Sequence, residues 1–167
     1  MSIDFLRRTA LFVILCLAQV LVLGNIHLLG FATPLPYLYL LLLLPLDYPR
    51  WAMLLWGFAE GLAIDIFSNT PGVASGSMTF LALLRPVILA PFVPRDSDEN
   101  MKPGVKAMGA GSFFYYSLIC SVVYCAVFFS LEIFNIICNW RQWLMSVGGS
   151  AALTVLFILA MESIRSR

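Results

Sequence analysis

At 167 residues the chain is 61% hydrophobic and only 11% charged, with a mean hydropathy of +0.92 and a formal net charge of +1. A soluble domain carries about 25% charged residues and needs them at its surface, so this composition excludes a soluble globular protein and describes one integral membrane domain. The basic residues are dispersed, without the clustered face that phosphate binding requires, which excludes nucleic acid as a partner.

Hydropathy and punctuation divide the chain into six expected spans, an all-α polytopic bundle of six transmembrane helices. The first, 9–29, follows Arg7 and Arg8. Its apolar run is too long for a signal-peptide core and no small-residue cleavage pattern follows it, so it reads as a retained anchor. The second, 36–46, is Leu-rich, bracketed by Pro34, Pro36, Pro45 and Pro49, and reads as a short or tilted span. The third, 51–67, ends at the turn Ser68, Asn69, Thr70, Pro71 and Gly72; the fourth, 73–93, carries Pro86 and Pro91 as kinks or stops. A polar loop with Arg95, Asp96, Asp98, Glu99 and Lys102 precedes an aromatic-rich fifth span, 109–134, and a sixth, 143–161.

Six spans place Arg7, Arg8, Arg50, Arg95, Lys102, Lys106, Arg165 and Arg167 on one side and only Arg141 on the other. By the positive-inside rule both termini are expected in the cytoplasm, and Trp51, Trp140 and Trp143 fall at span ends, where indole rings prefer to sit.

Glu60, Asp65 and Arg85 lie inside runs that otherwise look built for lipid. An isolated charge near mid-membrane costs about 2.5 to 3.5 kcal/mol. Counted from Trp51 and from Pro94, Glu60 and Arg85 each lie nine residues from the cytoplasmic end, about 13 to 14 Å deep. That matched depth predicts a Glu60 to Arg85 ion pair. Asp65 has no basic partner at its depth. It either caps the turn by accepting hydrogen bonds from the backbone of Asn69, Thr70 or Gly72, or forms with Asn69 and Thr70 an outer polar site for a ligand or partner helix. Glu132 can snorkel to water.

Little else in the chain suggests chemistry. Cys16, Cys120, Cys125 and Cys138 form no CxxC pair and read as packing residues; His27 has no second ligand at helical spacing, so no metal or cofactor is expected. No serine sits in a nucleophile elbow, and Glu60 and Asp65 stand about 140° apart around one helix, so no enzyme is expected. Small residues are instead spaced for close helix contact, with Gly57 and Gly61, Gly72 and Gly76, and Gly148 with Ala152 as candidate packing or partner surfaces.

The run Trp56-Gly57-Phe58, Gly61-Leu62, Asp65 and the Pro71-Gly72 turn, followed by a long apolar helix in a six-span layout, resembles MreD, the bacterial rod shape-determining membrane protein family. The resemblance implies a non-enzymatic scaffold in the bacterial cytoplasmic membrane that supports lateral peptidoglycan synthesis. It implies MreC as partner, with MreB, RodA and a penicillin-binding transpeptidase direct or indirect, and membrane lipid around it. It also implies a fold similar to the substrate-binding subunits of energy-coupling-factor transporters, which supplies the alternative reading, a subunit that binds a vitamin or a metal. Against that alternative, the outer loops offer few converging polar groups and the first span has no Ala-rich docking stripe.

Overall fold

Long apolar runs interrupted by proline and glycine form helices because in lipid a backbone must satisfy its own hydrogen bonds. In the computed structural model, which describes residues 2–19, 35–46, 48–93, 102–133 and 140–166, they are α1 (Ser2–Ala18), α2 (Leu38–Leu42), α3 (Arg50–Ser68), α4 (Val73–Leu89), α5 (Val105–Met108), α6 (Ala110–Ile133) and α7 (Trp140–Ser166). The second half of the first expected span, His27, Cys138 and the polar loop at 94–101 lie outside the described residues.

Among the described residues four helices, α3, α4 with the 3-10 turn Ala90–Phe92 that continues it, α6 and α7, are long and apolar enough to cross a membrane. The 19 residues of α3 rise about 28 Å, close to the thickness of the hydrocarbon layer. Pro86 lies inside α4 without ending it, and Pro91 sits in the 3-10 turn where the helix does end.

Polarity is arranged inside out relative to a soluble protein. Leu55, Ile66, Phe67, Leu83, Val87 and Leu156 are exposed, while Glu60, Asp65, Arg85, Ser117, Thr154 and Glu162 are buried. Polar groups in a membrane bundle face the interior, and apolar ones face lipid. Trp51 and Trp140 are more than two-thirds exposed at helix ends, and Trp140 stacks on Trp143 with ring centroids 5.5 Å apart.

Six spans are not confirmed among the described residues, and 36–46 does not form one of the long helices. Residues 37–42 are at most 3% exposed, and only five of them form a helix. This is no lipid-facing span. Pro45 supplies no N–H for the carbonyl of Leu41, so the helix stops after little more than one turn. Irregular backbone at membrane depth is tolerated where protein surrounds it, and α2 is wrapped by neighbouring helices.

Helices α3 and α4 form the most intimate pair. Ala74, Met78 and Ala82, all fully buried, recur every four residues on α4 and run along the strip that Gly57 and Gly61 leave open on α3. A Cβ on Gly61 would stand 2.4 Å from the Ser75 Cα, and one on Gly57 would stand 3.2 Å from the Met78 carbonyl oxygen. The other two small-residue pairs are not built this way among the described residues. Gly72 lies outside α4 with φ +86°, Gly76 is exposed, and a Cβ on Gly148 would meet nothing within 4 Å.

Candidate functional site: the broken helix and the buried charges around it

Breaking a helix leaves backbone groups without partners at both of its ends, and around α2 those groups are met by side chains from distant helices. At the start of the segment the Leu35 N–H donates to Thr154 Oγ1 on α7 at 3.2 Å, while the Thr154 hydroxyl donates to the Ser150 carbonyl. At its end, Arg85 on α4 donates through Nη2 to the carbonyls of Leu42 and Leu44, through Nε to the Tyr116 hydroxyl at 3.0 Å, and through Nη1 to Met53 Sδ at 3.3 Å. A cation at a helix C-terminus also complements the negative end of its dipole. Arg85 is thus the cap of the broken helix.

The tyrosines of the segment tie it sideways. Tyr37 and Tyr124 on α6 share a short hydroxyl to hydroxyl hydrogen bond with their rings edge to face at 5.9 Å. Tyr39 donates to Glu162 Oε2 at 2.7 Å. Glu162, 3% exposed near the end of α7, also accepts from the Val105 N–H at 3.1 Å, where α5 starts, and from Arg165. One carboxylate therefore fastens α2, α5 and α7. Glu162 carried no signal in the sequence because it lies one residue past the expected end of the sixth span and its partner Tyr39 is 123 residues away.

The expected Glu60 to Arg85 ion pair is not formed. Arg85 is occupied by the groups just named, and neither oxygen of Glu60, which is 1% exposed, has a hydrogen-bond partner. Register and helical phase are the reason. Arg85 touches Met53, so it stands level with a residue seven positions from Glu60, about 10 Å along α3. Glu60 is also turned 60° to 100° away from the Gly57 and Gly61 strip that meets α4. Its carboxyl lies instead within electrostatic reach of Cys16 on α1, Tyr37 beside α2 and Tyr124 on α6.

Asp65 realises the turn-capping alternative, and more of it than the turn alone required. One carboxylate oxygen accepts from the Ala74 N–H at 2.8 Å and from Thr70 Oγ1 at 3.1 Å. The other accepts from the Ser75 N–H at 2.9 Å, from Ser75 Oγ at 2.7 Å and from the Gly72 N–H at 3.2 Å. Gly72 precedes α4 without a side chain to cap it, so an acidic group from the previous helix does so, favoured by the positive end of the α4 dipole. Thr70 joins this cluster. Asn69 instead ends α3 in the left-handed region at φ 55°, with its N–H bonded to the Asp65 carbonyl, and is exposed. Removing the carboxylate in Asp65→Ala is expected to cost about 2 kcal/mol, the upper range for a lost N-terminal cap. Asp65→Asn, which keeps one acceptor oxygen, should fall between; thermal unfolding in detergent measures both.

Among the described residues no group of three His, Cys, Asp or Glu side chains comes together to hold a metal ion. Cys16, Cys120 and Cys125 are buried free thiols. Among the described residues, grooves open on the outer surface of the helices. One, of about 390 Å³, runs between α6 and α7 and is lined by Leu118, Val122, Gly148, Ala152, Val155 and others, all apolar. The second, of about 500 Å³, follows α3 and α4 past Phe58, Gly76, Thr79 and Phe80. Scans against family models, curated proteins and solved structures return no match. They lend no support to the MreD resemblance, nor to a likeness to transporter subunits.

Proposed function

We propose that the chain is a non-enzymatic membrane scaffold of the MreD type, working in the bacterial cytoplasmic membrane with both termini in the cytoplasm and supporting lateral wall synthesis through MreC. The observation that carries this reading is the use made of the residues behind the resemblance. Gly57, Gly61, Asp65 and the turn at 71–72 all serve to lock α3 against α4, and Asp65 spends its acceptor capacity inside the protein. A packing device fits a scaffold better than a ligand pocket. The α6 and α7 groove, where Gly148 and Ala152 are exposed, is the surface of choice for a partner helix, because small residues let backbones approach closely.

Copurification from membranes with the protein tagged tests the reading. MreC is expected to come with it, and Ala152→Phe, which fills the groove, is expected to lower its recovery several-fold while unfolding stays unchanged. Depletion that abolishes rod shape without recovery of MreC would reject direct complex formation. Retention of a vitamin or a metal together with an ATPase partner would replace the scaffold by a transport subunit.

A further inference from the structure

Helix α5 is four residues long, and a helix that short has no stability of its own. It lies at the end of the bundle where α3 and α6 begin and α7 finishes, between two glycines that do different work. Gly109 holds φ +84° at the junction with α6, a backbone region that favours glycine, so the chain pivots there with no side chain to resist. Gly104 makes room. A Cβ on it would stand 2.7 Å from Glu162 Oε1; without one, that oxygen accepts from the Val105 N–H at 3.1 Å. Val105 opens α5, so its N–H is one of those a helix start leaves without an internal partner. Met108 is buried in the core with Val105 and Ala107 partly buried against it, while Lys106 is exposed.

The same carboxylate holds the broken helix. Its other oxygen accepts from the Tyr39 hydroxyl at 2.7 Å and from Arg165 at 3.1 Å, and Tyr39 and Glu162 are each 3% exposed. We propose that α5 is a hinged strap, closed in this structure, whose position is coupled through Glu162 to the grip on α2. The Val105 N–H fixes one oxygen and with it the plane of the carboxylate, which aims the other oxygen at Tyr39. With the strap lifted that constraint goes, and water enters to compete with the Tyr39 hydroxyl for the oxygen. Arg165, which is exposed, then draws the carboxylate outward. Coupling between two sites is reciprocal, so deleting the Tyr39 hydroxyl loosens α5 in turn. The device does not depend on which partner the chain serves.

The test uses the full chain in detergent carrying Met108→Cys, with the rate of modification at that position by a water-soluble maleimide followed by mass spectrometry. Tyr39→Phe is expected to raise the rate about fivefold, the lower end of coupling between sites. Tyr37→Phe is the control. It also deletes a buried hydroxyl from the same segment, but one bonded to Tyr124, and should leave the rate unchanged. In the reverse direction, Val105→Pro removes the donor at a first helical position, where proline costs α5 no bond of its own, and Leu40→Cys on α2 should then be modified faster by a similar factor. An unchanged rate in Tyr39→Phe overturns the proposal, as does an equal rise in Tyr39→Phe and Tyr37→Phe, which would be general loosening of the segment. An unchanged rate at Leu40→Cys in Val105→Pro overturns it too; should that variant not fold, the two tyrosine variants decide. Glu162→Ala removes the link, so Tyr39→Phe should add nothing in that background. An undiminished effect there would mean that the tyrosine acts by another route, and would reject Glu162 as the coupling group.

Discussion

Arg85→Met is expected to destabilise the bundle by about 2 to 4 kcal/mol. The substitution leaves the Leu42 and Leu44 carbonyls and the Tyr116 hydroxyl without the donor each now has, and a buried polar group left unpaired costs about 1 to 3 kcal/mol. Insertion responds in the opposite sense. Arg85 costs about 2.5 to 3.5 kcal/mol to hold in lipid before the helices assemble, and methionine costs nothing there, so insertion of α4 improves while packing of α2 worsens. The two effects separate by measurement. Unfolding of the inserted protein should show the loss, and a cysteine placed at Leu46 should become alkylated about tenfold faster as the end of the broken helix loosens. Arg85→Lys keeps the charge but presents it as a point, without the planar fork that reaches two carbonyls and a phenol together, so it should recover about half. Wild-type stability in Arg85→Met would mean that the carbonyls find other partners and that the arginine does not cap α2.

The long helices were legible because lipid imposes a simple rule on sequence. The expected spans 51–67, 73–93, 109–134 and 143–161 meet α3, α4 with its 3-10 turn, α6 and α7 within a few residues. Asp65 was legible as a turn acceptor, since its neighbours in sequence are its neighbours in space. Residues 36–46 were not, because hydropathy does not distinguish a leucine facing lipid from one facing protein, and what holds this segment comes from Thr154, Arg85, Tyr124 and Glu162, all remote in sequence. The ion pair failed for a different reason. A depth counted from Pro94 starts beyond the helix end at Phe92, whereas the tight turn is the firmer origin. From the turn, Glu60 stands eight residues before Ser68 and Arg85 twelve after Val73, an offset already present in the sequence. The small-residue pairs show the remaining ambiguity. Gly57 with Gly61 and Gly148 with Ala152 have the same spacing, yet one is packed and the other open.

Gly61→Ala is expected to be the most damaging glycine-to-alanine change among the described residues, at about 4 kcal/mol or loss of the fold. Adding a methyl to a packed core usually costs about 1 to 3 kcal/mol because side chains can shift. Here the new Cβ would lie 2.4 Å from the Ser75 Cα and 2.6 Å from the Ala74 carbonyl oxygen, both backbone atoms with no rotamer to escape into. Only separating the helices relieves the contact, and a shift of about 1 Å would stretch the Asp65 hydrogen bonds to the Ala74 and Ser75 N–H groups past their working range. The clash and the lost cap therefore fall together. Helix propensity acts the other way, since alanine favours a helix over glycine by about 1 kcal/mol, and this gives the control its sign. Gly76→Ala meets only the end of the Leu131 side chain at 3.4 Å and Gly148→Ala meets nothing within 4 Å, so both should be neutral or stabilising. Gly57→Ala, 3.2 Å from the Met78 carbonyl oxygen, should cost an intermediate amount. Equal effects at Gly61 and Gly76 in thermal unfolding would show that the α3 and α4 contact is looser than the glycine strip requires. A graded series would place the rigid point of the helix pair at Gly61, one turn from the carboxylate that caps α4.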